Sequence, residues 1–387
     1  MKAIYLDNAA TTKICDEALE KYIAVSKEHF GNPSSLHALG FDAEKIIDSV
    51  REEICASLSA KGCRVIFTAS GTEANNLAII GRALSKERYK NGAKILTTMG
   101  EHSSVDGPLK MLSEMGFKIA KIPTIGGKID MDALKSELTK DVILVSMMMV
   151  NNETGALYDT SAVAKMVKAS CPDALLHIDA TQSYLKIPFT KLKCGADMIT
   201  ISSHKIEGPK GVGALVVDPA VMKSRGLAPI TLGGGQEGGM RSGTENVPGI
   251  AAFGEAVRIG NAKLRDRYYA LTELRNYLVG KIENELEEIS ITKPPVTAPH
   301  ILNITLPKIK SETMLHYLSS LGIYVSSGSA CSSNSTHTSS ALTAFGRSDA
   351  EADSSIRISL SHRNTKEDID SLVEGLKSGL GKLSRIR

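Results

Sequence analysis

The chain is short of cysteine, and what it has is unpaired. Its six cysteines, at positions 15, 55, 63, 171, 194 and 331, include no Cys-x-x-Cys, so neither a disulfide framework nor a zinc knuckle is supported. Cys55 falls among the apolar positions of a helical stretch and is expected in the core, while Cys15, Cys63, Cys171 and Cys194 lie near element ends and are expected to be partly exposed. No run approaches the roughly 18 uninterrupted apolar residues of a membrane span. The longest apolar block, residues 142–150, reads as a buried strand. An excess of charge is missing too: a formal net charge of +3 over 387 residues is too small to make nucleic acid or a membrane surface the main partner. The opening Met1-Lys2-Ala3-Ile4-Tyr5-Leu6-Asp7 meets an acid at once and holds no secretory apolar run, so a cytoplasmic location is the default expectation. Neither an internal repeat nor a low-complexity linker is present.

What is there is an ordinary globular composition, on a chain long enough for one large α/β domain and a smaller one. Ala43, Ile46, Ile47, Val50, Ile54 and Leu58 recur at helical spacing and predict a helix over 42–58. Strand and helix signals then alternate: strands at 65–68, 94–98, 118–122, 142–150, 175–179, 198–202 and 213–217, with helices opening near 71, 104 and 160. Such alternation predicts a doubly wound, mainly parallel sheet, with ligands bound at the carboxyl ends of its strands. Composition breaks near Gly233-Gly234-Gly235-Gln236-Glu237-Gly238-Gly239. Beyond lie a long helical segment at 249–288, short strands at 301–306, 323–326 and 355–359, and a closing helix at 366–383. The expected division is a large domain at 15–260 and a smaller α+β domain made of 1–14 and 261–387.

Polar clusters fall at the predicted strand ends. Lys205, in Ser202-Ser203-His204-Lys205-Ile206-Glu207-Gly208-Pro209-Lys210-Gly211, is a candidate Schiff-base lysine, since shielding from water lowers the pKa of such an amine. Read alone it is equally a surface lysine. Ser202 and His204 are donor types suited to a phosphate. Asp179, after the apolar Ala174-Leu175-Leu176, needs a cationic or hydrogen-bonding partner, or is a plain helix cap. Gln182 lies three residues on. Gly71 and Thr72 open a helix whose N–H groups suit a phosphate, although ordinary capping explains them as well. His102 and Asn152 follow strands; His102 suits ring stacking or proton transfer, or is structural. Arg357 suits a carboxylate, or ties two domains together. Cys331, in Ser327-Gly328-Ser329-Ala330-Cys331-Ser332, has the Gly/Ser surroundings of a flexible, accessible loop.

Together these segments resemble the class V aminotransferase group of pyridoxal-phosphate enzymes, and within it the cysteine desulfurases. The likeness also runs through Tyr5-Leu6-Asp7-Asn8-Ala9-Ala10-Thr11-Thr12, Phe30-Gly31-Asn32-Pro33-Ser34-Ser35, Gly71-Thr72-Glu73-Ala74-Asn75-Asn76, Asn151-Asn152-Glu153 and Met240-Arg241-Ser242-Gly243-Thr244. The Gly-Ser-Ala-Cys-Ser form resembles the long-loop group that feeds iron–sulfur cluster assembly and tRNA thiolation.

The resemblance implies a fold type I enzyme that converts L-cysteine to L-alanine. Lys205 would carry pyridoxal 5'-phosphate, with His102 stacked on its ring. Asp179 would pair with the ring nitrogen and Gln182 with its phenolic oxygen. Gly71, Thr72, Ser202 and His204 would hold the phosphate, and Thr244 would reach the phosphate of a partner subunit in a homodimer. Asn152 and Arg357 would place the substrate carboxylate, and Cys331 would take the sulfur as a persulfide for a sulfur-acceptor protein. Two places depart from the group's pattern. Glu207 stands where an uncharged residue is usual, and is expected to alter the field near the phosphate. Ser361-His362-Arg363 replaces a Leu-Gly-Arg-like turn, and is expected to affect how the small domain closes. The rivals are another reaction on the same cofactor, such as transamination, and a non-catalytic platform.

Overall fold

The computed structural model describes residues 3–327 and 339–383. The chain begins with β1 (Ile4–Tyr5), α1 (Asp16–Glu28) and α2 (Ala38–Ser57). There follow β2 (Arg64–Thr68), α3 (Gly71–Leu84), β3 (Lys94–Thr98), α4 (Ser103–Glu114), β4 (Lys118–Ile122), α5 (Met131–Glu137), β5 (Val142–Met148), α6 (Thr160–Ser170), β6 (Leu175–Asp179), α7 (Lys191–Cys194), β7 (Met198–Ser202), β8 (Gly213–Val217) and α8 (Pro219–Lys223). The second half holds α9 (Val247–Ala262), α10 (Leu264–Glu285), β9 (Ser290–Ile291), β10 (Ile301–Thr305), α11 (Ser311–Ser320), β11 (Ile323–Tyr324), β12 (Ser326–Ser327), α12 (Ser340–Phe345), α13 (Asp349–Asp353), β13 (Ser355–Ser359) and α14 (Lys366–Lys382).

The central sheet has seven strands in the order β2-β8-β7-β6-β5-β3-β4. All run parallel except β8, which is antiparallel to both its neighbours. The expected doubly wound, mainly parallel sheet is therefore the one observed, with a single reversed strand. Helices cover both faces, so β5, β7 and β8 are buried along their whole length and are mostly apolar, with Ser146 in β5 and Thr200 and Ser202 in β7 as polar exceptions. One core packs α1, α2, α6 and α9 against one face, through Ile54, Val163 and Phe253; another packs α3 and α4 on the other, through Leu77, Ile79 and Leu109.

A separate core gathers Leu6, Leu278, Ile304, Met314, Ile356 and Leu372 around a four-stranded sheet of order β12-β13-β10-β9. The N-terminal residues belong to it spatially: β1 pairs in parallel with β11, and Asp7 bridges to Ser359. Two sequence expectations shift. The long helix at 249–288 is two helices that meet at Lys263, because α9 is buried around most of its surface while α10 shows one apolar stripe to the second core. The helix expected at 42–58 starts four residues earlier, where the His37 ring accepts the Gly40 N–H.

Cys15, Cys171 and Cys194, expected to be partly exposed, are buried, because the element ends that carry them pack onto the first core. Cys55, expected in the core, is only half-buried at its edge. Burial raises the pKa of all these thiols and of Cys63, which keeps them protonated and unreactive. Among the described residues no helix is long and apolar enough to cross a membrane.

The two departures from the family pattern meet each other. Glu207 accepts Arg363 Nε at 2.7 Å and Arg267 Nη1 at 3.1 Å, with His362 Nε2 3.8 Å away. Its carboxylate thus joins the end of β7 to α10 and to the turn after β13. Glu207 has φ 68°, and its N–H is held by Thr12 Oγ1 at 2.8 Å. Loss of one partner of a buried ion pair strands the others. Glu207→Gln is accordingly expected to lower the unfolding free energy by about 2 kcal/mol. Arg363→Met, at the exposed edge of the cluster, should cost less than half of that. Urea unfolding of both variants is the check, and equal small losses would mean that solvent screens the cluster.

Candidate active site

The carboxyl ends of β2, β3, β5, β6 and β7 surround a cavity of about 490 Å³. Gly71, Thr72, His102, Asn152, Asp179, Gln182, Ser202, His204, Lys205 and Arg357 line it together. Thr244 lies instead on a neighbouring cleft beside Phe67 and Glu245, and Cys331 is outside the described residues. Asp7, Ala9, Ala10, Asn75, Ser104 and Thr181 also line the cavity, and the sequence reading assigned them no role. Asn75 was legible: it stands one turn after Thr72, on the same face of α3. A larger cleft of about 580 Å³ lies between α2 and the Gly235–Glu245 segment. Within it Arg51 pairs with Glu237 at 2.9 Å.

One end of the cavity is made of donors. Ser70 caps α3, its hydroxyl accepting the Glu73 N–H at 3.1 Å. Gly71 fits a tight place: a Cβ there would stand 3.3 Å from Ser202 Cβ and from Thr181 Oγ1, so these neighbours would have to shift to admit one. The hollow left by that missing methyl faces the α3 N-terminus, where backbone N–H groups favour an anion. Ser202 Oγ is buried there without a hydrogen-bond partner among the described residues. His204 is held down to about 4 by burial and by Lys205, Lys186 and Lys210, so at neutral pH its ring is an uncharged donor.

Asp179 also lines the cavity. Its Oδ1 accepts the Thr181 N–H at 2.9 Å and its Oδ2 accepts Asn75 Nδ2 at 2.8 Å. Gln182 Nε2 donates to the Ala9 carbonyl at 2.8 Å, and Lys205 Nζ donates to the carbonyls of Ala9 and Ala10 at 2.6 and 2.8 Å. The segment from Asp7 to Thr12 therefore straps across the site, and Thr12 N–H closes it on the His204 carbonyl at 2.9 Å. Arg357, on β13, donates Nη1 to the Asn152 carbonyl at 3.0 Å and Nη2 to Asp7 at 2.9 Å, leaving Nε buried with no partner among the described residues. Asn152 thus meets Arg357 through its backbone. Glu207 does not line the cavity, and its charge is spent on Arg267 and Arg363 rather than on the donor end.

The chain belongs to the aminotransferase class V family, which it matches over residues 4–372. Cysteine desulfurase IscS 1 of Archaeoglobus fulgidus is 38% identical over 384 residues, covering 99% of this chain and 97% of that protein. Cysteine desulfurase IscS of Dictyoglomus turgidum is 37% identical over 387 residues, covering 100% and 96%. Among solved structures, a NifS-like protein superposes with a TM-score of 0.91 at 34% identity, covering 99% of this chain and 100% of that one.

Enzymes of this family depend on pyridoxal phosphate, and the cavity suits that group. The unpartnered Ser202 hydroxyl and the hollow at Gly71 suit its phosphate, and the Asp179 carboxylate suits a protonated ring nitrogen.

Glu101 precedes His102 and is buried; burial pushes its carboxyl up to about 8, only partly offset by the Thr98 hydroxyl and the Met148 N–H. An unfolded chain releases this proton near 4.5, so the folded state holds an extra proton between those values and stability falls as pH rises through that window. Glu101→Gln should flatten the decline of Tm between about pH 5 and pH 8, with Tm at pH 8 raised by a few degrees. An unchanged slope in scanning calorimetry would mean that Glu101 is ionised in the folded protein.

Proposed function

We propose that this chain is a cysteine desulfurase that passes sulfur from L-cysteine to Cys331 and releases L-alanine. One observation carries the reading most strongly: a lysine, an acid, a phosphate-type donor set and an arginine, far apart in sequence, line one cavity. The full-length similarity to proteins named cysteine desulfurase narrows the chemistry. The division into domains 15–260 and 1–14 with 261–387 belongs to the same proposal, and is supported by the separate cores.

Bound pyridoxal phosphate supplies an electron sink that loosens the Cα–H and Cβ–S bonds of an attached amino acid. Lys205 holds that group and moves the proton at the substrate Cα. Thr72, Ser202, His204 and the α3 N–H groups near Gly71 hold the phosphate. Asp179 keeps the ring nitrogen protonated, while Gln182 serves the phenolic oxygen and His102 the ring face. Arg357 receives the substrate carboxylate with the donors left after Asp7 and Asn152 are served. The Cys331 thiolate takes the substrate sulfur, so that L-cysteine and a thiol become L-alanine and a persulfide.

The persulfide then serves an acceptor, such as an iron–sulfur scaffold protein or a tRNA-thiolating enzyme. A homodimer belongs to the same reading. Thr244 lies outside its own chain's cavity, and residues 30–41 leave Phe30, Leu36 and Phe41 exposed, as a face covered by a second copy would be.

The test follows alanine and sulfide from L-cysteine, with pyridoxal phosphate and a reductant, for the wild type and Cys331→Ala. Wild type should release both in equal amounts, and the variant should lose at least about a hundredfold in rate while keeping its cofactor absorbance. Alanine from both would remove Cys331 as sulfur acceptor. Alanine from neither, with cofactor bound, would favour a different substrate or the platform.

A further inference from the structure

His102 caps α4, and among the described residues its ring hydrogen bonds run through one nitrogen. The Ser104 backbone N–H donates to Nδ1 at 3.1 Å, and Ser104 Oγ lies 2.8 Å from the same atom. A backbone N–H can only donate, so Nδ1 must offer its lone pair. The hydroxyl is oriented from its far side, because Asn75 Nδ2 reaches Ser104 Oγ at 2.8 Å and Asp179 Oδ2 at 2.8 Å. The Asn75 amide is oriented in turn by Asp179, a carboxylate that already accepts the Thr181 N–H. With Asn75 donating to its oxygen, the Ser104 hydroxyl directs its own proton at His102. Every bond from Asp179 to the ring therefore has a defined direction.

We propose that Asn75 and Ser104 are positioning residues that hold His102 as the neutral tautomer with its proton on Nε2. The geometry stands by itself; its catalytic meaning rests on the desulfurase reading. The ring nitrogen left for a bound molecule is then an N–H donor and not a base. Movement of the Cα proton falls to Lys205, and His102 is suited to hydrogen-bond negative charge that develops on the bound molecule. Protonation at Nδ1 would turn that atom from acceptor to donor against the Ser104 N–H and reverse the hydroxyl. Burial acts in the same direction on the ring. The charged groups that face it are Asp179 on β6, Lys205 after β7, Asp106 on α4 and Arg357 on β13. Asn75 makes its two donations while its Oδ1 stays buried without a partner among the described residues.

Nitrogen-15 labelling of the histidines in the pyridoxal-phosphate-loaded protein reads this directly by long-range proton–nitrogen correlation. His102→Gln identifies the His102 signals among the nine histidines. The expected result is the Nε2–H pattern for His102 from pH 6 to pH 8. Ser104→Ala removes one of the two donors to Nδ1 and should raise the His102 pKa by about half to one unit. An Nδ1–H pattern or an even mixture in the wild type overturns the proposal, as does an unchanged titration in Ser104→Ala. The two readings fail separately: wild type that forms alanine with the wrong tautomer sinks only this one. The right tautomer without alanine sinks only the desulfurase.

Discussion

Parallel pairing of β5, β6 and β7 sets Met148 beside Asp179 and Asp179 beside Thr200, and the rest of the site is arranged around that register. These strands are covered by helices on both faces, so a charged group has no place along their length. It can stand only where a strand ends. Asp179 is the last residue of β6, Ser202 the last of β7, and Lys205 three residues further on. A slip of one residue between β6 and β7 would turn Asp179 to the other face of the sheet. It would also part Asp179 from Asn75, and so from the bonds that orient His102.

The two cores are tied together at the site itself. The N-terminal strand pairs with the second core, then the chain crosses the cavity, where the Ala9 and Ala10 carbonyls take Lys205. Arg357 crosses the other way, from β13 to the Asn152 carbonyl. Glu207 makes a third tie, to Arg267 and Arg363. The two departures from the family pattern come together here, with His362 Nε2 standing 3.8 Å from the Glu207 carboxylate.

Strands were legible where burial on both faces makes them mostly apolar, as in β5, β7 and β8. Legibility failed where an element depends on a distant partner. β1 is two residues long and exists because β11 lies beside it, more than 300 residues away in sequence. The helix expected at 249–288 breaks at Lys263 because its halves face different cores, and periodicity read along one segment does not reveal what each half packs against. The cysteines show the same limit: nearness to an element end suggested exposure for Cys15, Cys171 and Cys194, but those ends lie beneath packed helices.

The sequence by itself determined the element types of the central sheet and the residue chemistry at its strand ends, since both follow from local pattern. It also carried the family likeness, which is a property of residue order. Only the tertiary structure decided how the candidate side chains face one another. It paired Arg357 with Asp7, gave Glu207 two arginines and a histidine, and left the Ser202 hydroxyl unpartnered in the hollow beside Gly71. It also linked Asp179 to His102 through Asn75 and Ser104. Hydrogen-bond direction depends on distances of about 3 Å between groups far apart in the chain, and no local pattern encodes them.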